Sequence, residues 1–329
     1  MLLLVTDGFM LQGQTQETGI RIMFYNVENA FDTSDDSSTE DNDFLPSAGR
    51  HWNKSRYEAK INSIYKVITA AGSWKPPEII GMCEVENRRI LQDLVSGTYL
   101  SKYRYGIVHE DSPDRRGIDV CMIYNPEAVS ILKYRYIVPY NRVSFKSRSI
   151  LYVMVRAGDD TIHLFFNHWP SRTGGVLPGN DLRHELAAVM KGKIDSLQSM
   201  NAGRSKIVVA GDFNSKPDDS EVKLITIGPV SRMINLTSED AETGNGTYRY
   251  KGVWEMLDQV LVSEYFKESM SGLKVTGDSF TIFKPDFLLV KDPRYPGYMP
   301  FATYRGYRYQ NGFSDHLPVL LNLFPSIQD

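Results

Sequence analysis

Five short apolar runs of this chain each end in a carboxylate, an amide or an imidazole. Apolar runs of this length, bounded by turn residues, are typical of buried β-strands. A polar side chain at the end of a buried strand is costly to desolvate unless it is paired or bound to a cation. We therefore expect the five ends to meet in one polar site. The residues at these ends are Asn26, Glu84, His168, Asp212 with Asn214, and Asp315 with His316.

Strand patterns outnumber helical patterns along the whole chain, and no linker, repeat or low-complexity block interrupts them. Strands that face a core on one side and helices on the other predict an α/β fold of two packed sheets flanked by helices. We expect one domain over residues 20–329. Strands are predicted at 20–27, 79–84, 105–108, 119–124, 129–138, 150–155, 161–167, 206–210, 255–262 and 317–323, and helices at 54–71, 89–95 and 181–197.

Residues 1–19 carry two short apolar stretches followed by a Gln- and Thr-rich segment. This pattern is similar to the tail of a secretory signal peptide, but a basic N-terminal region is missing and Asp7 interrupts the apolar part. Two interpretations stay open. A signal remnant predicts export to the periplasm or the cell exterior, whereas a simple N-terminal arm predicts a cytoplasmic protein. No later stretch is long and apolar enough to span a membrane.

The net charge of -3 and the pI near 6.1 exclude a general positive field that would hold a polyanion. Any contact with nucleic acid must therefore come from a local basic patch. The two cysteines, Cys83 and Cys121, lie inside apolar runs, and no metal-binding spacing of cysteines exists. We expect buried free thiols.

The donor set at the strand ends consists of carboxylates, amides and imidazoles without thiolates. Hard oxygen donors are preferred by Mg²⁺, Mn²⁺ and Ca²⁺. His168 and His316 stand in no zinc-binding spacing, so we interpret them as acid–base or phosphate-contacting groups. A zinc enzyme that uses these two histidines is the alternative. A cation, a base and hydrogen-bond donors together are what the hydrolysis of a phosphoester requires.

Seven segments in a fixed order resemble the endonuclease/exonuclease/phosphatase superfamily, which has the DNase I-like fold. They are YNVEN (25–29), CEVEN (83–87), RGIDVCMIYNP (116–126), NHWPSR (167–172), GDFN (211–214), WEMLDQVLVS (254–263) and FSDHLPV (313–319). The resemblance implies a four-layer sandwich of two mixed β-sheets flanked by α-helices. It also implies in-line attack of water on phosphorus with a divalent cation, Mg²⁺ first, and Mn²⁺ or Ca²⁺ as alternatives.

The resemblance assigns the metal to Glu84 and Asp315, with Asn26 beside them and also in contact with the substrate. Glu28 falls where some members of the superfamily place a second acidic ligand. For catalysis the resemblance implies a separate group, in which the base is either Asp212 or His316. That catalytic group is His168, Asp212, Asn214, Asp258 and His316.

Other polar residues have two interpretations each. Arg172 is either a second substrate contact, through the phosphate, or a solvated loop arginine. Asp119 lies either near the site or in a salt bridge with Arg116. The aromatic and basic stretch 295–309 is either a stacking platform or a packed surface loop. The remaining histidines are expected to be structural or on the surface, namely His51, His109, His163 and His184.

The function predicted from these residues is that of a nuclease-like phosphodiesterase. The alternative is a phosphatase or phosphodiesterase that acts on a phospholipid, an inositol phosphate or another small phosphoester. A non-catalytic binding module would have lost the residues at the strand ends, and all of them are present. We expect a monomer whose partner is a phosphoester substrate, with nucleic acid among the candidates.

Overall fold

The structure, a computed structural model, describes residues 19–73, 75–138, 147–172, 176–230 and 232–326, and omits the side chains of residues 176–181. Residues 1–18 are outside these ranges, so both interpretations of the N-terminal segment 1–19 stay predictions. No helix formed by the described residues is long and apolar enough to cross a membrane.

The described chain folds into nineteen strands and six α-helices. The strands are β1 (Ile20–Ala30), β2 (Ile79–Val85), β3 (Gly106–Val108), β4 (Asp119–Tyr124), β5 (Ser130–Ile137), β6 (Ile150–Ala157), β7 (Asp160–His168), β8 (Lys206–Asp212), β9 (Met233–Asn235), β10 (Tyr248–Tyr250), β11 (Val253–Glu255), β12 (Asp258–Ser263), β13 (Leu273–Lys274), β14 (Phe280–Ile282), β15 (Leu289–Lys291), β16 (Tyr298–Pro300), β17 (Tyr304–Arg305), β18 (Arg308–Tyr309) and β19 (Val319–Pro325). The helices are α1 (Lys54–Ala71), α2 (Arg88–Gly97), α3 (Val176–Met200), α4 (Ser220–Thr226), α5 (Ser238–Glu242) and α6 (Tyr265–Glu268). Single 3₁₀ turns lie at Asn42–Phe44, Tyr99–Tyr103, Gly277–Ser279 and Asp286–Leu288.

Two large mixed sheets organise these strands. The first sheet has the order β13-β19-β1-β2-β4-β3, with β14 also on β19, and the second has the order β5-β6-β7-β8-β12-β9. Each sheet contains one parallel pair, β1 with β2 and β7 with β8, and its other pairs are antiparallel. Because parallel strands end at the same edge of a sheet, each pair delivers two polar strand ends to one place.

Helices cover the outer faces of both sheets. α1 and α2 pack on the first sheet and α3 and α4 on the second, while a shared apolar core fills the space between the sheets. Phe24 of the first sheet stacks on Phe166 of the second, with ring centroids 6.3 Å apart. This arrangement confirms the predicted four-layer, DNase I-like fold. The apolar stripe of α1 faces inward as expected and consists of Ile61, Ile64, Val67 and Ile68.

Asparagine side chains cap the N-termini of α1 and α2, the two helices that pack on the outer face of the first sheet. The side chain of Asn53 accepts a hydrogen bond from the backbone of Arg56 at the start of α1, and Asn87 does the same for Ile90 at the start of α2. Such caps satisfy amide donors that have no partner within the helix. Helix α1 therefore begins where the sequence pattern predicts. Because Asn87 follows Glu84 closely, the second cap also fixes the chain just beyond a predicted site residue.

Several predicted strands have slightly different bounds in the structure, and two of them differ because the chain changes partners. The strand predicted at 255–262 is divided, because Glu255 pairs with Tyr248 in one hairpin whereas Asp258 pairs with Asp212 in the second sheet. The strand predicted at 317–323 begins later, at Val319, because the amide of Leu317 donates to Thr247 outside the sheet. In both places, the chain changes partners beside predicted site residues.

Gly81 allows the close approach of the two sheets. A Cβ atom at this position would lie 2.3 Å from the ring of Phe166, which is itself buried between the sheets. We expect Gly81→Ala to lower the free energy of unfolding by about 1–3 kcal/mol, since a packed ring cannot move aside. Urea denaturation measures this change.

Gly97 provides the matched control, because a Cβ atom there would meet nothing within 4 Å. Gly97→Ala should leave the stability unchanged or slightly higher. Equal stabilities for the two variants would contradict the close approach at Gly81.

Candidate active site at the strand ends

Glu84 lies in a bulge that turns its side chain out of the first sheet. The pairing of β2 with β1 and with β4 shifts between Cys83 and Val85, which leaves Glu84 outside both ladders. Its φ is +63°, an uncommon value for a residue with a side chain. Such backbone strain costs on the order of 1–3 kcal/mol and occurs most often at functional sites. The bulge therefore directs a carboxylate toward the strand ends.

Asn26 joins the ends of the two sheets. Its Nδ2 donates to Oε1 of Glu84 at 3.3 Å and to Oδ2 of Asp212 at 3.1 Å, although Asp212 belongs to the second sheet. Its Oδ1 accepts from the backbone amide of Glu28 at 3.0 Å. The fully buried amide thus holds two carboxylates from different sheets within reach of each other.

Asp212 ends β8 and is fixed by the tight turn of the GDFN segment. Its Oδ1 accepts from the backbone amide of Asn214 at 2.9 Å, and Asn214 itself has a φ of +47° and donates to the carbonyl of Trp169. Gly211 is needed there, since a Cβ atom would lie 2.3 Å from Nδ2 of Asn167. Burial raises the pKa of Asp212 to about 7, against the opposing effect of nearby His316.

His316 and Asp258 form a buried pair. Nδ1 of His316 lies 2.6 Å from Oδ2 of Asp258, and its Nε2 lies 3.9 Å from Oδ2 of Asp212. Although burial opposes it, the carboxylates of Asp258 and Asp212 raise the pKa of His316 well above its usual value. The ring of Tyr248 packs on His316, with centroids 4.9 Å apart. Because Asp258 occupies Nδ1, Nε2 is the nitrogen that faces the site.

His168 ends β7 and faces the same carboxylates. Its Nε2 lies 3.7 Å from Oδ2 of Asp212 and 3.8 Å from Oε1 of Glu84. The guanidinium of Arg148 contacts both ring nitrogens, at 3.3 and 2.9 Å, and also binds Asp114 at 3.1 Å. Burial, followed by the charge of Arg148, lowers the pKa of His168 well below its usual value. The imidazole is therefore neutral.

Asp315 and His316 are placed by the serine before them. Oγ of Ser314 donates to the carbonyl of Asn26 at 2.7 Å and accepts from the amide of His316 at 3.0 Å. Burial raises the pKa of Asp315 to about 6, with the carboxylate of Glu84 adding to the effect and His316 opposing it. The FSDH segment is thereby tied directly to β1.

Glu28 and Lys60 meet at Thr303. The carboxylate of Glu28 accepts from the backbone amides of Thr303 and Tyr304, at 2.6 and 3.0 Å. Nζ of Lys60 donates to Oγ1 of Thr303 at 2.6 Å and to the carbonyl of Phe313 at 2.7 Å. Glu28 is one of the four predicted metal ligands, and each of its carboxylate oxygens already accepts a hydrogen bond from a backbone amide.

Arg172 lies beside the GDFN turn. Its Nε donates to the carbonyl of Asn214 at 2.9 Å, and its other nitrogens lie 2.9 Å from Asp219 and 3.7 Å from Glu255. The guanidinium is close to the candidate site and half-exposed, with two carboxylates around it. Both interpretations of Arg172 therefore stay open.

Asp119 has a different partner from the one considered in the sequence. It lies 3.0 Å from Nε2 of His109 and accepts from the amide of Ser112, whereas Arg116 lies 3.7 Å from Asp114. Of the two interpretations of Asp119, the salt bridge with Arg116 is therefore not formed. His109 is buried rather than on the surface, and its structural role stays a prediction.

Arg148, Asp114 and Lys60 were missed by the sequence reasoning. Arg148 precedes β6 in the segment KSRS, which has no motif, and Lys60 is one of many charged residues on a helix. A signal existed only for Lys60, since it shares the inward stripe of α1 with Ile64. A lysine on the buried face of a helix indicates a buried partner.

The donor set fits a hard divalent cation. Glu84 and Asp315 supply carboxylates, Asn26 lies beside them, and no described Lys or Arg lies within 4.0 Å of the Glu84 carboxylate. A second group, Asp212, Asp258 and His316, has ligand atoms within 4.8 Å of one another. Oδ1 of Asp258 is buried there without a hydrogen-bond partner. A cation would relieve this concentration of negative charge.

The sequence of residues 21–324 matches the model of the Endonuclease/Exonuclease/phosphatase family. The chain belongs to this family. A search of curated protein sequences finds no significant match.

Solved structures of the family have the same fold. A humanized D. rerio TDP2 carrying 14 mutations is 12% identical, with a TM-score of 0.58 over 93% of this chain and 98% of that chain. An endonuclease/exonuclease/phosphatase from Bacteroides vulgatus is 16% identical, with a TM-score of 0.58 over 94% and 99% of the two chains. The human Nocturnin catalytic domain with bound sulfate is 15% identical, with a TM-score of 0.56 over 93% and 94%. At these identities, the likeness shows the fold alone.

Removal of Lys60 should destabilise the protein through Glu28. Lys60→Met leaves the buried carboxylate of Glu28 without its nearby cation, and we expect a loss of roughly 3–5 kcal/mol in the free energy of unfolding. The double variant Lys60→Met/Glu28→Gln should recover a large part of this loss. A double-mutant cycle in urea measures the coupling. Additive effects of the two substitutions would show that the two charges do not interact.

Proposed function

We propose that this protein is a divalent-metal-dependent phosphoester hydrolase, a nuclease-like phosphodiesterase that acts by in-line attack of water on phosphorus. One observation carries the proposal, namely the meeting of Glu84, Asp212 and His316 at the ends of two sheets, with Asn26 between them. Two carboxylates and a cationic imidazole in one buried site are suited to a reaction in which an anionic phosphate must be bound and water activated.

The proposed metal ligands are Glu84 and Asp315, with Asn26 beside them. When bound, the cation neutralises charge on the phosphate and favours attack at phosphorus. Asn26 has a further task, since its amide holds Glu84 and Asp212 at a fixed separation. The charge of Lys60 behind Asp315 limits the repulsion among these carboxylates.

Asp212 and His316 are the proposed acid–base pair. Oδ2 of Asp212 lies between the amide of Asn26 and Nε2 of His316, so a water molecule bound there is oriented by a carboxylate. Asp212 is the better placed base. His316, held by Asp258, donates its Nε2 proton to an oxygen that becomes negative in the transition state. The pair is compatible with either residue as the base, and the variants below test whether both residues are needed.

His168 and Asn214 are the proposed donors to the phosphoryl oxygens. His168 is neutral and buried, and in the tautomer whose Nδ1 accepts from Nε of Arg148 its Nε2 carries the N–H on the side of Asp212 and Glu84. Asn214 is held by the carbonyl of Trp169 at 2.9 Å and keeps one further amide hydrogen for a ligand. Arg148 fixes the ring of His168 from behind.

The proposed substrate is a phosphodiester, with nucleic acid first. A D. rerio TDP2 structure, 15% identical with a TM-score of 0.54 over 93% of this chain and 99% of that chain, is described as complexed with a single-strand DNA product. The alternative is a phospholipid, an inositol phosphate or another small phosphoester. The strand-end residues contact the phosphate, whereas the group attached to it must be selected by the surrounding loops. A monomer is part of the proposal.

A substrate panel tests the reaction. With Mg²⁺ we expect hydrolysis of bis-p-nitrophenyl phosphate and of single-stranded DNA, and loss of both activities with EDTA, because the carboxylate site then has no cation. RNA, supercoiled DNA, phosphoinositides and sphingomyelin complete the panel. If no member is hydrolysed with Mg²⁺, Mn²⁺ or Ca²⁺, the enzymatic proposal fails. Activity that persists in EDTA would refute the metal dependence but would leave the proposed hydrolysis standing.

Single substitutions test the roles. We expect His316→Ala and Asp212→Asn each to lower kcat/KM for bis-p-nitrophenyl phosphate by at least about 100-fold, as expected for loss of general acid–base catalysis. His184→Ala is the control, because its half-exposed ring contacts Ser220 and lies outside the proposed site. Full activity of His316→Ala would overturn the assignment even if the enzyme itself is real.

A further inference from the structure

Two hairpins beside the proposed active site expose apolar side chains on one surface. The first hairpin is β10–β11 and the second is β15–β16. We call this surface the hairpin rim and define it by its exposed apolar residues. They are Tyr250, Val253, Tyr295 and Tyr298, which are 54%, 62%, 40% and 60% exposed.

Arg249 joins the two hairpins into one surface. Its guanidinium donates to the carbonyls of Tyr298 and, at 2.5 Å, of Pro296, so it spans from β10 to the second hairpin. Gly252, with a φ of +83°, packs so closely on Tyr295 that a Cβ atom would lie 2.8 Å from the Cβ of that tyrosine. Lys251 and Gly252 both have positive φ, as in the tight turns that suit two-residue hairpins. The hairpin rim is thus a built surface rather than two separate loops.

Strand β10 connects the hairpin rim to the proposed catalytic histidine. Tyr248 at the start of β10 pairs with His316 in an isolated bridge, and their rings lie 4.9 Å apart. Tyr250 follows two residues later, so its side chain is on the same face of the strand, roughly 7 Å further from the site. A ligand chain that leaves the proposed active site along β10 therefore meets Tyr250.

Lysines lie against two aromatic rings of the first hairpin, the exposed Tyr250 and the partly buried Trp254. Nζ of Lys251 lies 5.2 Å from the centre of the Tyr250 ring, and Nζ of Lys284 lies 3.8 Å from that of Trp254. Residues 248–255 and 284–298 together contain five basic and three acidic residues, in a chain whose net charge is -3. The two segments therefore carry a local excess of basic residues, in contrast to the negative charge of the whole chain.

We propose that the hairpin rim binds single-stranded nucleic acid and guides it to the active site. This inference rests on the proposed function. Exposed tyrosines offer stacking faces to unpaired bases, and the neighbouring lysines offer charge to the phosphates. A duplex would hide its base faces inside its own stack, which favours a single strand as the ligand. Three of the four exposed apolar residues are tyrosines and only Val253 is aliphatic, which favours base stacking over insertion into a lipid surface.

Binding of a fluorescein-labelled single-stranded oligonucleotide, followed by anisotropy in EDTA, tests the hairpin rim without turnover. We expect Tyr250→Ala to raise the Kd about tenfold, through loss of one stacking face. Tyr99→Ala is a matched control, since Tyr99 is 69% exposed and has Lys102 at 5.2 Å from its ring, the same distance as in the pair of Tyr250 and Lys251. Equal Kd values for Tyr250→Ala, Tyr99→Ala and the unmodified protein would overturn the inference.

Salt dependence tests the charge contribution separately. We expect Lys251→Gln to reduce the slope of log K against log salt by about 0.7, the value for one phosphate contact on a single strand. Lys102→Gln should leave the slope unchanged. An unchanged slope in both variants would remove Lys251 from the contact surface and contradict the charge argument.

A small substrate separates this inference from the proposed function. Tyr250→Ala should lower kcat/KM far more for the oligonucleotide than for bis-p-nitrophenyl phosphate, because only the oligonucleotide carries further bases that can stack on the hairpin rim. Oligonucleotide binding that depends on Tyr250, without any hydrolysis, would support the rim and refute the proposed function. If the protein binds phosphatidylserine vesicles through Tyr250 and does not bind the oligonucleotide, the hairpin rim is a membrane contact and the inference is overturned.

Discussion

The amide of Asn26 is the interaction on which the site depends. It donates to Glu84 in its own sheet and to Asp212 in the opposite sheet. Two carboxylates this close repel each other, and burial increases that repulsion because the local dielectric is low. The neutral amide offsets the repulsion without removing either charge. Because Asn26 binds a carboxylate from each sheet, the distance between the sheets sets the distance between Glu84 and Asp212 in the proposed active site.

The rest of the site consists of strained or charged groups that the surrounding core must hold in place. Glu84 and Asn214 both have positive φ, and Lys60 is buried near Glu28, where burial lowers its pKa to about 8. Each of these features is unfavourable in isolation. The large apolar core between the sheets supplies the stabilisation that permits them. Stability of the core and precision of the site are thus linked, for example at Gly81, where the backbone of one sheet packs directly on Phe166 of the other.

The sequence predicted those features that short-range patterns encode. The bounds of α1, the positions of strands such as β2 and β8, and the polar residues at their ends follow from apolar periodicity and motif order. Arg148 could not be found in this way, because its partner His168 is on a different strand and no motif marks either the contact or Asp114. The contact of Asp119 with His109 was not foreseen for the same reason. A salt bridge to the nearby Arg116 is plausible in sequence, but the buried ring of His109 is closer in space.

The two sheets and the hairpins contribute different properties to one function. Residues at the strand ends are held by core packing, so their chemistry can change little without loss of the fold. The hairpins β10–β11 and β15–β16 lie outside the two large sheets and bury few of their side chains. Substitutions there cost little stability, so a change of substrate is easiest at this surface. Tyr248 contacts both parts, since it begins a hairpin and packs on His316. A ligand bound along the hairpin therefore passes the ring of Tyr248 before it meets the proposed catalytic histidine. The position of this ring affects both the choice of substrate and the orientation of His316.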